Sequence, residues 1–374
     1  MNLLRRVVRA LAAAAVITVF SSCPYNEPLR GEMQLAAELV FAHSWEELCD
    51  LIDGTPAGGS VIISVQGTLE VNGSTQNIKN KEITLISFSS TGKIIRGSGI
   101  YAFFDIDEGG VLILGHEHSR GTLVLDGEGS SILIEITPSH SGACVMNKGV
   151  ILRNSPTAAV DIYADGLGVF GSFTMNGGTI TEGGTGVIVA GSLGGTTLFT
   201  MNGGTITKNK RGVSVENKDS GSAAAFIMNG GTIKDNTADT GTIGCGVSVL
   251  AATGAAAVFT MNSGTISGNT ADYGGGVGVV VSSGATAVFA MKGGTIKDNT
   301  AEFNGGGVCV HSDGEFVKTG GTIYGSNGGV NSNKAGSSTG SGHAAYVFDG
   351  PKIRDTSAGP GVKLDSGTTD NWGQ

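Results

Sequence analysis

Between positions 105 and 126 the chain gathers most of the side chains that could act on a substrate: Asp105, Asp107, Glu108, His116, Glu117, His118, Arg120 and Asp126. Carboxyls in unlike surroundings can divide the work of proton donor and proton acceptor, as glycosidic cleavage requires. His116-Glu117-His118 sets two imidazoles on one side of a strand or turn, a spacing that suits a transition metal. No third ligand stands near it in sequence, so an exposed loop is the preferred reading. Nor is a cofactor expected, because the chain lacks a calcium-binding Gly-Gly-x-Gly-x-Asp nonapeptide, a phosphate loop and a nucleophile elbow. Further along, Asp235 and Asp298 recur at one place in a repeating pattern, but Gly268 takes that place in the copy between them. Adjacent copies are therefore not expected to supply a pair of carboxylates.

A second chemistry is expected at Cys23. Arg5, Arg6 and Arg9 form a charged start, and the apolar run Ala10 to Phe20 is too short to span a bilayer, so residues 1–22 read as a cleaved export signal. Phe20-Ser21-Ser22-Cys23 resembles a bacterial lipobox, departing from it in Phe20 where Leu is usual. The resemblance implies acylation of Cys23 and a stable membrane anchor through that lipid. No Asp follows Cys23 as an inner-membrane retention signal, which by the same resemblance favours the outer membrane or cell surface. Of the remaining cysteines, Cys144 takes an inward position and reads as a small core hydrophobe, while Cys245 and Cys309 fall at different offsets of their strands and are not expected to stack.

The elements that must position these groups come from a repeat, clearest in Phe199-Thr200-Met201-Asn202-Gly203-Gly204-Thr205-Ile206. Copies begin at Met146, Met175, Met201, Met228, Met261 and Met291, with degenerate ones at Lys318 and Phe348, at intervals of 26 to 33 residues. Five positions on come Ile151, Ile180, Ile206, Ile233, Ile266, Ile296, Ile323 and Ile353. Two positions before the origin come Cys144, Phe173, Phe199, Phe226, Phe259, Phe289, Phe316 and Tyr346, and eight after it come Asn154, Asn209, Asn236, Asn269 and Asn299 in five of the copies. Aromatic and Met are two apart, as for neighbours on one face of a strand. The Gly-Gly pair breaks that strand, Thr-Ile restarts it, and a Val-rich run such as Val277-Gly278-Val279-Val280 makes a third. One such unit cannot bury its apolar face alone, so stacking in register at about 4.8 Å is predicted, with ladders of Phe, Met and Ile. The Asn residues fit either an inward amide ladder, the preferred reading, or a turn that merely tolerates a left-handed backbone.

These repeats resemble the right-handed parallel β-helix of pectin-lyase-like proteins, and especially the Met-Asn-Gly-Gly-Thr-Ile repeats of bacterial surface lipoproteins. The Phe-x-x-Asn elements (Phe173 to Asn176, Phe199 to Asn202, Phe226 to Asn229, Phe259 to Asn262) are also similar to those of polymorphic outer-membrane autotransporter adhesins. The chain departs from the latter in lacking a C-terminal barrel region, so self-export is not expected. Enzymes of the pectin-lyase-like fold place acidic clusters and a basic residue along one outer face. Here the outward positions of the repeats are mostly Thr, Ser, Ala, Gly and Asn.

The 374-residue chain carries 64 Gly and a formal charge of −9, with 40% hydrophobic residues. That is enough apolar material for a core, and without a basic stripe nucleic-acid binding is not expected. Ser44-Trp45-Glu46-Glu47 is a capping box, and Trp45, Leu48, Leu51 and Ile52 give a helix one apolar side, suited to plugging the N-terminal end of a solenoid. The expected organisation is an export signal over 1–22, a lipidated N-terminus and tether over 23–42, the capping helix and irregular coils over 43–143, regular coils over 144–358, and a tail or cap over 359–374. The fold expected is all-β, a right-handed parallel β-helix.

The function expected is a non-enzymatic, lipid-anchored envelope protein. It would bind a glycan or matrix protein along the solenoid face or through the insertions Asp239 to Gly246 and Asn331 to His343. The alternatives are a polysaccharide lyase or hydrolase whose site is the acidic region from Asp105 to Asp126, and a purely structural spacer.

Overall fold

The computed structural model describes residues 39–348 and the strand Gly367–Thr369. Excepted are short stretches at 89–90, 97–100, 117–118, 129–131, 326–328 and 337–342 and the single positions 138, 218, 283 and 312. The expected export signal, Cys23 and Ile353 lie outside the described residues, as do Glu117 and His118.

The chain winds into a parallel β-solenoid of about 9 turns. Each regular coil contributes one strand to each of three sheets, as in Thr196–Met201, Thr205–Thr207 and Arg211–Asn217. The first sheet has 11 strands and begins with β1 (Leu39–Ala42) and β2 (Ser60–Val65); the second has 10 and begins with β3 (Thr68–Val71); the third has 11 and begins with β4 (Gln76–Lys79). Pairing within them is parallel except at Gly367–Thr369, which lies antiparallel on Ala345–Val347 at the far edge of the third sheet. A small outer sheet of Thr270–Tyr273, Thr300–Asn304 and Lys334–Ala335 was not foreseen; the insertion over Asp239 to Gly246 is tied to it by a bridge from Ile243 to Tyr273. No helix among the described residues is long and apolar enough to cross a membrane.

The predicted ladders form the core. Phe173, Phe199, Phe226, Phe259, Phe289 and Phe316 stack with ring centroids 4.7–5.2 Å apart and planes within 12° of parallel. Cys144 continues that column below Phe173, buried as expected. Ile180, Ile206, Ile233, Ile266, Ile296 and Ile323 lie in register with no exposed surface. The second Gly of each pair is needed for two reasons. Gly204 has φ +86°, and a Cβ there would sit 2.6 Å from the Met175 methyl that packs over it.

Three assignments need correction. Ile151 is not a rung: it pairs with Thr179, and Leu152 pairs with Ile180 and fills the core position. The turn after Met146 holds one residue more than the others, and a slip of one residue along a strand moves a side chain to the opposite face. For the same reason Asn154 falls one place short of the amide column. Tyr346 and Phe348 do not form an eighth coil of the first sheet, because Ala345–Val347 pairs with Val308–His311 in the third.

The N-terminal helix α1 (Trp45–Gly54) closes the core end, with Trp45, Leu48 and Ile52 buried and the Trp45 ring 5.6 Å from that of Phe104. Ser44 Oγ accepts from Glu47 N (3.1 Å), while Glu47 Oε2 reaches one residue further back than a standard capping box, to His43 N (2.8 Å). The end of the expected tether is structured, since residues 39–42 are β1 itself.

Candidate functional site

Strand alternation sends one set of side chains outward, and parallel register stacks them into rows as strictly as the core ladders. On the third sheet one such row reads Asn77, Asp105, Glu135, Asp161 and then Ile188. Three carboxylates therefore stand on successive coils, roughly 4.8 Å apart at the backbone. All three are partly buried. Asp105 Oδ1 accepts from Thr137 Oγ1 (2.6 Å), whereas Asp161 Oδ1 is buried with no partner among the described residues.

Burial, reinforced by the charges of Asp105 and Asp161, pushes Glu135 up to about 7. Burial, then the charge of Glu216, pushes Asp161 up to about 6, and Asp105 is raised too, again chiefly by burial. Tyr101 stands beside the row, its hydroxyl raised by burial and by the charges of Glu135 and Asp161. Near neutral pH Glu135 is thus divided between its protonated and ionised forms, an arrangement that can donate and accept protons or bind sugar hydroxyls.

The neighbouring acids are compensated instead. Asp107 meets Lys79 Nζ at 3.0 Å and accepts from Ser139 N (2.6 Å), Ser139 Oγ (2.9 Å) and Glu108 N (2.7 Å). Burial alone would raise its carboxyl, but these donors together hold it below the usual range. Asp126 lies on the second sheet, where Arg153 Nη2 (2.7 Å), Lys93 Nζ (3.2 Å) and Asn154 Nδ2 (2.7 Å) converge on it and outweigh the effect of burial. It is a structural ion-pair knot. His116 and Arg120 sit in the turn between Gly110–Leu114 and Thr122–Asp126. The acidic region from 105 to 126 is therefore divided among different faces of the solenoid. Of its described members only Asp105 joins the carboxylate row.

Glu135 and Asp161 escaped sequence reasoning, and the expectation that adjacent coils supply no matched carboxylates is overturned on the third sheet. It holds for the second, where a Cβ on Gly268 would lie 2.5 Å from Asp235 Oδ1, one coil away. The missed signal was spacing alone. Asp105, Glu135 and Asp161 lie 30 and 26 residues apart, within the range of the repeat length, but Asp105 and Glu135 precede the first copy of the motif.

Two further outer rows are longer and uncharged. Thr179, Thr205, Thr232, Thr265, Thr295 and Thr322 stack in register along the second sheet, each partly exposed. Beside them Asn176, Asn202, Asn229 and Asn262 each donate from Nδ2 to the Oδ1 of the Asn one coil earlier, at 3.1, 2.9, 2.9 and 2.8 Å, starting from Asn147.

The inward amide column is Asn209, Asn236, Asn269, Asn299 and Asn333, the last unforeseen. The first four donate from Nδ2 to the Oδ1 of the next coil at 3.2, 2.8, 2.9 and 3.0 Å, and Asn333 Nδ2 donates to Ile296 O (3.0 Å). Asn154, by contrast, has φ 58° and occupies the left-handed turn position that precedes the column, as do Lys208, Asp235 and Asp298. The two readings of these Asn residues are thus divided between neighbouring positions. Cys245 and Cys309 are free, buried thiols that burial pushes up to about 12, and Cys309 pairs with Gly278.

Among the described residues, no three His, Cys, Asp or Glu side chains are grouped so as to hold a metal ion. No protein family, curated protein or solved structure matches the chain.

Proposed function

We propose that this protein is an exported, lipid-anchored envelope component that binds an extended glycan or matrix protein along its outer face without altering it. The carrying observation is the pair of uncharged rows, Thr179 to Thr322 and Asn147 to Asn262, which together repeat one hydroxyl and one amide in each of the four coils from Asn176 and Thr179 to Asn262 and Thr265. Each contact is weak, but a ligand that engages several rungs at once gains avidity without any single strong site. Export and anchoring rest on the charged start, the short apolar run and the Phe20-Ser21-Ser22-Cys23 sequence.

The test is binding of the purified mature chain to glycan and matrix-protein arrays, alongside a variant with Thr205, Thr232 and Thr265 all changed to Val. Valine keeps the strand and removes the hydroxyls, so avidity should drop at least about tenfold at an unchanged melting temperature. Unaltered binding removes the row from the function, and an absence of any ligand leaves the structural-spacer reading. Protease shaving of intact cells, with a lysed control, decides whether such ligands are within reach.

The carboxylate row favours a second reading, a polysaccharide lyase or hydrolase. Glu135, raised to about 7 and so protonated in part near neutral pH, would be the proton donor, and Asp105 or Asp161 the acceptor. Release of reducing ends or unsaturated products from acidic or neutral polysaccharides, lost in Glu135→Gln, would support it; no product from any of them would sink it.

A further inference from the structure

A solenoid must end, and at this end β1, β3 and β4 each begin a sheet. β1 leads directly into the helix, and the helix covers the core. β3, however, is the first strand of the second sheet and pairs only with the strand Thr91–Arg96. In a parallel strand alternate residues turn their backbone groups to opposite sides. Since Lys93 N donates to Gly67 O, residues 67, 69 and 71 serve that neighbour, and Thr68 and Glu70 turn their N–H and C=O groups outward. Both are exposed, and no backbone partner is found for them among the described residues.

Between this open edge and α1 runs a groove of about 600 Å³, within the range of ligand sites. Its lining includes His43, Glu46 and Asp53 from the helix side and Glu70 from β3, and among the described residues it contains no Lys or Arg. An unpaired edge offers backbone hydrogen bonds to an added strand, and the lining sets the sign of charge that strand must carry.

We propose that this groove takes an extended, Lys- or Arg-bearing peptide segment of a partner protein, which adds to β3 as a further strand of the second sheet. The backbone of Thr68 and Glu70 supplies the pairing, and Glu46, Asp53 and Glu70 supply the preference for basic side chains. The site is separate from the outer rows and does not depend on what they bind.

The test titrates the full mature chain with a blocked Lys-Val-Lys-Val-Lys-Val peptide, the corresponding Glu-Val peptide, and a Lys-Val peptide N-methylated at alternate amides. The expected result is saturable binding of the first peptide only. That binding should weaken at least about tenfold in Glu46→Lys/Glu70→Lys, whose two sites are exposed and whose fold is checked by circular dichroism, and also on raising salt to about 1 M. Hydrogen exchange at Thr68 and Glu70 should be fast in the free protein and slow in the complex. Equal binding of the Glu-Val or N-methylated peptide, an unaffected double variant, or no binding overturns the proposal. Slow exchange at Thr68 and Glu70 in the free protein also overturns it, since the chain's own residues would then hold the edge.

Discussion

Asn269 tests the amide column most directly. Its Oδ1 accepts from both N and Nδ2 of Asn236 (3.1 and 2.8 Å), and its Nδ2 donates to Asn299 Oδ1 (2.9 Å) and Ile233 O (3.2 Å). Asn269→Ala leaves these buried groups without partners and should cost about 2–3 kcal/mol in chemical or thermal unfolding. Asn154→Ala removes one half-exposed donor to Asp126 and should cost about 1 kcal/mol or less. The sequence made the column legible because an amide recurred at one distance from Met in four consecutive regular copies. It misplaced Asn154 because the extra residue after Met146 leaves an Ile at the counted position, and counting cannot tell that Ile151 from the Leu152 that packs. It missed Asn333 because an insertion separates that residue from its own Ile323.

The carboxylate row belongs to three strands, Phe104–Asp107, Ile132–Ile136 and Ala158–Asp165, and its consequence is felt between them. Glu135 titrates near 7 in the folded chain and near its ordinary value of 4.5 when unfolded, so across that window the folded state binds the extra proton. Stability from this group is therefore greatest at low pH and is lost as pH rises from about 4.5 to about 7. Glu135→Gln should flatten the fall and, at pH 8, stabilise the chain by about 1–2 kcal/mol, a figure reduced for the solvent that reaches a half-buried group. Denaturant unfolding at a series of pH values measures this directly, and an unchanged slope would remove Glu135 from the coupled row. At this scale the long apolar strands and the capping helix were legible from period and capping chemistry. β3 and β4 were not, because Glu70, Asn77 and Lys79 dilute their pattern. The outer sheet was not either, since Thr270–Tyr273 and Thr300–Asn304 read as polar turns.

For the molecule as a whole, in-register stacking makes the regular coils interchangeable. Met201 and Met228 pair directly, so deleting residues 202–228 joins two equivalent points and should leave a folded solenoid one coil shorter, with its midpoint of unfolding only modestly lowered. Deleting one residue fewer shifts the register and turns the following side chains to the wrong face, and that variant should aggregate. Sedimentation and circular dichroism separate the two outcomes. The architecture was the most legible property, because it depends on a repeat and not on any one residue. The acidic site was the least, because two of its three carboxylates, Asp105 and Glu135, lie in coils that precede the first copy of the repeat. The column of phenylalanine rings carries a last consequence. Rings of one kind, nearly parallel and 4.7–5.2 Å apart, are held in one fixed, chiral environment coil after coil. Near-ultraviolet dichroism from phenylalanine should therefore weaken when a coil is deleted and vanish when the stack melts, which gives the array a probe of its own order.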